Sequence, residues 1–246
     1  MENAAITVRD GLLTVDFDGR AITIRPTRGD FFNFSEILLY DTYRLSSLAS
    51  PVGTVVDLGA NIGLFAVAMM DRADRVISVE PVPENRRIAE RNLAAGAENV
   101  RLLPYAMAAR SGLSKTLFVS STEPSMHSEY ASLGHRTSAA AGTIEVESLS
   151  LVDLFARESV ERCDLLKCDI EGSEYDVLLS APKDLLERVD RIAMEVHVHL
   201  RPGEPDRWPS LRAHLHDAGF QIEVDGNESP AGDLPAAFMA YALRAK

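Results

Sequence analysis

From Thr54 onward the chain alternates short, continuous apolar runs with amphipathic stretches. That alternation limits the folds open to it more than any other feature. Residues 55–58 read as a strand and 62–70 as its helix. Residues 75–79 and 84–95 repeat the pair, with Asn85, Glu90 and Arg91 expected on the outer side of the helix, and 100–103 make a third strand. The pattern resumes with a strand at 165–170, a helix at 175–186, a fifth strand at 192–200 and a helix at 208–218 closed by Gly219. Strands this apolar have no face to offer water. They belong in an α/β, doubly wound (Rossmann-like) parallel sheet covered on both sides by helices. Two last strands, 220–224 and 238–243, are joined through a Gly/Asn/Pro loop at 226–235 and suggest an antiparallel end to the sheet.

The first fifty residues read differently. Apolar runs at 6–8, 12–17 and 21–24 are separated by Asp10-Gly11 and Asp18-Gly19, the strongest short hairpin signal, so a small β meander is expected. Residues 34–48 carry apolar side chains at near-helical spacing, with Ser35 as the N-cap and Pro51 as the stop. This segment is too short for a core of its own. Residues 1–50 are therefore read as an elaboration on one domain at 51–246.

Charge narrows the partners. Lys and Arg total 25 against 37 Asp and Glu, a net charge of -12. A surface tracking a nucleic-acid backbone or an anionic membrane would be repelled, so neither is expected as a partner. No apolar run reaches the ~18 residues of a membrane span. Met1-Glu2-Asn3-Ala4 does not begin a signal peptide, and a cytoplasmic location is expected. Cys163 and Cys168 are too few for a disulfide framework. A homo-oligomer is compatible with the pattern. Residues 120–142, rich in Ser, Thr and Ala and including Met126, His127, Tyr130 and His135, break the alternation. They read as a solvated loop or as a lid over an acceptor.

Open α/β sheets bind ligands at the carboxyl ends of their strands. The first strand runs into Gly59-Ala60-Asn61-Ile62-Gly63, where glycines let the backbone turn tightly and Asn61 tolerates a left-handed conformation. A dinucleotide fingerprint would need glycines at 61 and 64, and the chain has Asn61 and Leu64. The turn suits a nucleoside without a pyrophosphate, or is an ordinary tight turn. The second strand ends at Glu80-Pro81, about twenty residues on, where an acid can accept from ribose hydroxyls. The third ends in Leu103-Pro104-Tyr105-Ala106-Met107, suited to flank an adenine ring.

The fourth strand sets Leu165, Lys167, Asp169 and Glu171 on one face, and the fifth sets Glu195, His197 and His199 on one face. Charges in apolar strands are costly unless paired. If the strands are neighbours, the two rows form either a buried ion-pair network or an acid–base site in which Asp169 and His197 act together. Asp169, Glu171, Glu195 and His197 could also present hard ligands to Mg²⁺. Lys167 competes for those carboxylates, and no metal is assigned.

The segments Val55-Val56-Asp57-Leu58-Gly59-Ala60-Asn61-Ile62-Gly63, Glu80-Pro81-Val82-Pro83-Glu84-Asn85, Leu166-Lys167-Cys168-Asp169-Ile170-Glu171-Gly172-Ser173-Glu174 and Glu195-Val196-His197 occur in this order. Together they resemble the FkbM family of S-adenosylmethionine-dependent methyltransferases, which act mostly on hydroxyl oxygens. The resemblance runs from about Phe34 to His199, including a Glu36…Tyr43 helix. It is weak over 110–145 and after 200. Cys168 departs from the aliphatic residue more usual there. The resemblance implies the class I methyltransferase sheet, with seven strands in the order 3-2-1-4-5-7-6, and S-adenosyl-L-methionine as cofactor. It implies that the cofactor lies against Tyr43, Asp57, Gly59, Ala60, Asn61, Gly63, Glu80, Pro81, Ala106 and Asp169. His197 is the first choice of base, with His199, or His127 and His135 from the 120–142 segment, as the alternatives; Asp169 would face cofactor and acceptor, and Lys167 and Glu171 would hold that edge in shape. The acceptor is expected to be a hydroxyl oxygen of a small molecule or sugar of natural-product type. The rival readings are a nicotinamide-dependent oxidoreductase and a non-catalytic S-adenosylmethionine-binding module.

Overall fold

The computed structural model describes residues 6–26, 29–94, 96–120, 127–128, 140–198, 205–226 and 236–244. The chain opens with an antiparallel meander, β1 (Ile6–Arg9), β2 (Leu12–Phe17) and β3 (Arg20–Ile24). Its two turns use Asp10-Gly11 and Asp18-Gly19, all four at positive φ, as primed hairpin turns require. Val15, Ile22 and Ile24 pack with Phe34 against Ile62, Leu64, Val67 and Ile88 of the following units.

The expected helix over 34–48 is replaced by three pieces. α1 (Asp30–Phe34) starts earlier, continues as one π-helical turn (Ser35–Leu39), and a 3-10 turn follows at Leu45–Ser47. The start is set by Asp30, whose buried carboxylate accepts from the backbone N–H of Arg25 at 2.8 Å and from its guanidinium at 2.8 and 2.9 Å. Ser35 lies inside the helical run and not at its cap, and its hydroxyl donates back to Phe31 O at 3.0 Å. The run breaks well before Pro51. Asp41 and Arg44 take positive φ, and the Asp41 carboxylate accepts from Leu45 N at 2.6 Å.

The main sheet is then laid down by β4 (Val52–Leu58), α2 (Leu64–Met69), β5 (Ala73–Val79), α3 (Pro83–Leu93) and β6 (Val100–Leu103). A second, four-stranded sheet follows: β7 (Ala106–Met107), β8 (Ser114–Ser120), β9 (His127–Ser128) and β10 (Ala140–Leu149). The stretch 120–142 is therefore partly strand, because β10 pairs antiparallel with β8 over seven residue pairs and β9 adds to β8. Met126, Tyr130 and His135 lie outside the described residues. α4 (Leu151–Arg157) begins at an N-cap, Ser150, whose hydroxyl accepts from Asp153 N at 3.1 Å.

The chain returns through β11 (Leu165–Cys168), α5 (Glu174–Ser180), α6 (Lys183–Leu186), β12 (Arg191–Val198), α7 (Trp208–Asp217), β13 (Phe220–Asp225) and β14 (Ala236–Arg244). The single helix expected at 175–186 is divided because Pro182 has no N–H to continue it and instead caps α6. The seven-stranded sheet runs β6-β5-β4-β11-β12-β14-β13, with β14 antiparallel to both neighbours. Counted along the chain this is the order 3-2-1-4-5-7-6.

Side chains alternate across this sheet with a period of two. Val56, Leu58, Ile77, Leu166, Cys168 and Met194 face α4 to α7 in one core, while Val55, Val76, Leu165 and Ala193 meet Phe65, Met69 and Tyr43 in the other. Truncating one of these large side chains to alanine costs on the order of 2–5 kcal/mol, so each face is held firmly. Cys163 and Cys168 are free and buried. Among the described residues no helix is long and apolar enough to cross a membrane.

Candidate active site

The site forms where β4, β5, β6, β11 and β12 end together. After Leu58 the chain turns through Gly59 at φ +84°, Asn61 at +49° and Gly63 at +80°. Gly59 N and Ala60 N both donate to Val79 O at 3.0 Å, tying the turn to the end of β5. Asn61 N donates to Glu80 Oε2 at 2.8 Å. Glu80 Oε1 accepts from Val82 N at 2.8 Å and from Asn85 Nδ2 at 3.2 Å. Asn85 is thus buried rather than on the outer face of α3, and its amide oxygen accepts from Arg25 at 2.9 Å. The N-terminal meander reaches the acid at the end of β5 through this side chain. Burial pushes the Glu80 carboxyl up to about 7, although the N–H groups of Val82 and Asn61 and the Asn85 amide favour its charged form.

Beneath the turn lies a buried cation. Lys167 Nζ donates to Gly59 O at 2.6 Å and Leu58 O at 3.3 Å, and sits 3.2 Å from Asp57 Oδ1 and 3.8 Å from Asp169 Oδ2. Burial lowers its pKa, but Asp57 and Asp169 more than restore it, so the lysine is charged. Asp57 is fully buried, accepts from Ser78 Oγ at 3.1 Å, and does not reach the cavity. Its carboxylate is an ion-pair partner of Lys167. Gly63 does not line the cavity either. A Cβ there would come within 3.0 Å of Ala89 Cβ, so its glycine serves the packing of the turn on α3.

The strand edge carries the chemistry. β11 and β12 are parallel neighbours, with Lys167 opposite Ala193 and Cys168 opposite Met194, which sets the polar rows on one face. Tyr43 is buried, stacks edge-on against Phe65, and donates its hydroxyl to Asp169 Oδ2 at 2.9 Å. His197 is buried. Its Nδ1 lies 3.0 Å from Glu174 Oε1 and its Nε2 3.6 Å from Glu171 Oε2. Burial depresses the imidazole pKa, but Glu174, Glu171 and Glu195 outweigh it and raise it well above the ordinary histidine value. Burial and the neighbouring acids push Glu171 up to about 7 and Glu195 to about 8. Asp169, Glu195 and His197 bring donor atoms within 4.8 Å of one another. Tyr43 already donates to Asp169, and Lys167 sits beside it as a competing cation.

A cavity of about 440 Å³, within the range of small-molecule sites, joins these two ends. It is lined by Tyr43, Gly59, Ala60, Asn61, Glu80, Pro81, Ala106 and Asp169, and at its far end by Lys167, Glu171, Glu195 and His197. Sequence reasoning missed Phe32, Asn33 and Glu36, which α1 and the π-helical turn bring to the cavity lining, and Leu117 from β8. It also passed over Glu174 as a site residue, although the acidic repeat Asp169, Glu171, Glu174 was a signal that one member turns inward. His127 lies in β9, and His135 and His199 fall outside the described residues.

Residues 57–222 match the family model of the methyltransferase FkbM domain. The chain is 28% identical over 225 residues to methyltransferase sdnD of Sordaria araneosa, covering 80% of this chain and 84% of that protein. It is 27% identical over 226 residues to the AMB antimetabolite synthetase AmbE of Pseudomonas aeruginosa. That match takes in 78% of this chain and spans only 10% of AmbE. Among solved structures, methyltransferase FkbM from Methylobacillus flagellatus KT superposes with a TM-score of 0.54 at 16% identity, over 85% of this chain and 47% of that one. That likeness is one of fold, the class I methyltransferase sheet. With its match running from the end of β4 into β13, the chain belongs to the FkbM methyltransferase-domain family.

Proposed function

We propose that this protein transfers a methyl group from S-adenosylmethionine to a hydroxyl oxygen of a small molecule. The observation that carries this reading is the single cavity joining the Glu80 end of the sheet to the Asp169–Glu195–His197 end. Its lining fits the cofactor. Asn61 Oδ1 is buried without a hydrogen-bond partner, and Glu80 keeps acceptor capacity for ribose hydroxyls beside it. Ala106, Met107 and Leu117 give an apolar wall for a base. The Asp169 carboxyl group at the other end suits a cationic sulfur. When bound, the cofactor supplies a methyl group already activated by its sulfonium.

The protein's own work is to orient and to move a proton. Lys167 holds the glycine turn, Tyr43 holds Asp169, and His197 presents Nε2 to the cavity. Only the neutral imidazole takes a proton from a hydroxyl. With its pKa raised, the rate should climb above pH 6.5, not through pH 6–7 as an unperturbed histidine would give. The acceptor class best supported is a natural-product hydroxyl, since one relative is named for antimetabolite synthesis. A nicotinamide enzyme is disfavoured because Leu64, where its third glycine would stand, is buried in the core under the meander. A non-catalytic binding module is separated by turnover. Protein incubated with methyl-labelled S-adenosylmethionine and pools of hydroxylated small molecules should release S-adenosylhomocysteine with the label on an acceptor oxygen. His197→Ala should lower turnover by roughly 10²–10⁴ while leaving cofactor affinity near the parent value. Label on nitrogen or carbon, or a normal rate for His197→Ala, would overturn the reading.

A further inference from the structure

We propose that Glu174 is the positioning residue of this site, the buried counter-ion that fixes which nitrogen of His197 is bare. The inference rests on the reading of His197 as the base. Glu171 and Gly172 take successive left-handed conformations, φ +55° and +100°, which turn the strap after β11 back on itself. The N–H groups of Ile170 and Gly172 then converge on one oxygen, Glu174 Oε1, at 3.0 and 3.2 Å, and His197 Nδ1 meets the same oxygen at 3.0 Å. Glu174 has no solvent exposure and does not line the cavity. An oxygen that already accepts from two backbone N–H groups is an acceptor towards the ring as well, so Nδ1 carries a proton. When His197 gives up its other proton, Nε2 is therefore the bare nitrogen, and Nε2 is the one beside Glu171 Oε2 at 3.6 Å. One buried oxygen thus selects the basic tautomer and locks the strap bearing Asp169 and Glu171 to β12.

The groups facing His197 are Glu174 behind it, Glu171 and Glu195 in front, and Asp169 within the same cluster, with Lys167 beyond Asp169. Glu174 stands out because it is buried, touches Nδ1, and has a second oxygen with no hydrogen-bond partner.

The test is nitrogen and carbon NMR of the histidine rings in the full chain, with the His197 signal assigned by its loss in His197→Gln. In the parent, the neutral ring should be the Nδ1–H tautomer and should titrate well above 6.5. Glu174→Gln keeps an oxygen for all three donors and removes the charge. It should lower the proton affinity of His197 at least tenfold and move the pH–rate limb down by the same amount, with S-adenosylhomocysteine affinity near that of the parent. An unchanged His197 midpoint in Glu174→Gln would overturn the proposal. So would an Nε2–H tautomer in the parent, a measurement that needs no variant to fold. If no hydroxyl acceptor is ever methylated, the proposed function fails, while the ring titration still decides the role of Glu174.

Discussion

Gly59→Ala probes the closest backbone approach in the site. A Cβ at position 59 would lie 1.9 Å from the carbonyl oxygen of Asp169, 3.0 Å from its carbonyl carbon and 3.3 Å from Ile170 Cγ2. The first of these is about 1.5 Å inside the 3.4 Å at which ordinary contact begins, and the obstacle is backbone, which cannot swing aside. Two costs combine. The left-handed φ of +84° costs alanine about 1–2 kcal/mol. Forcing the turn away from the end of β11 adds about 1–3 kcal/mol, the range for overpacking. Gly112→Ala is the control, since Gly112 has φ +75° with nothing within 4 Å of the added Cβ. It carries the first cost alone. Thermal and urea unfolding should place Gly59→Ala below Gly112→Ala by about 1–3 kcal/mol, at ~2–4 °C per kcal/mol for a chain of this size. Titration with S-adenosylhomocysteine should show weakened binding only for Gly59→Ala, because the displaced segment carries Ala60 and Asn61 of the cavity wall. Equal melting temperatures and equal affinities for the two variants would refute the reasoning.

Three further outcomes are expected. Lys167→Met should destabilise the fold by about 3–5 kcal/mol, because it strands the buried Asp57 carboxylate, and adding Asp57→Asn should restore much of the loss in denaturant titrations; a double variant no better than the single would refute this. Glu80 ionises at about 7 in the fold against an ordinary 4.5, so the folded form holds its proton across that window. Ionising it costs stability as pH rises from 4.5 to 7, and the stability difference between Glu80→Gln and the parent should therefore grow in the variant's favour over that range. A flat difference would show that Glu80 is not perturbed. Tyr43→Phe removes the hydroxyl that donates to Asp169 at 2.9 Å and should slow turnover more than it weakens cofactor binding, which steady-state kinetics beside calorimetry would reveal.

The main sheet was legible because buried parallel strands need apolar side chains on both faces, and such runs have no other stable place in a domain this size. Val55-Val56 and Val76-Ile77 announce themselves. So do the hairpin turns, since Asp-Gly is chosen for positive φ at both positions. β10 and α4 were readable but passed over: Ile144 and Val146 alternate with Glu145 and Glu147, and Ser150 stands three residues before Asp153. The helix over 34–48 failed for a different reason. Its spacing was right, but Asp30 and Asp41 offered the backbone competing carboxylate acceptors that moved the start and broke the run.

What the sequence determined by itself was local: the period of each apolar run, the turns, and the clustering of Lys167, Asp169, Glu171, Glu195 and His197 on two strands. Which of these groups meet one another was decided by the tertiary structure alone. Asn85 looks like a solvated helix residue until Arg25, sixty positions earlier, and Glu80 close on either side of it. Asp57 sits in the glycine motif, yet the sheet turns it under Lys167 and away from the cavity. Glu174 opens a helix, and only the adjacency of β11 and β12 brings His197 to its buried oxygen. The physical reason is the same throughout. Hydrophobic periodicity is written residue by residue, whereas a buried charge is stable only beside its partner, and that partner is supplied by distant chain.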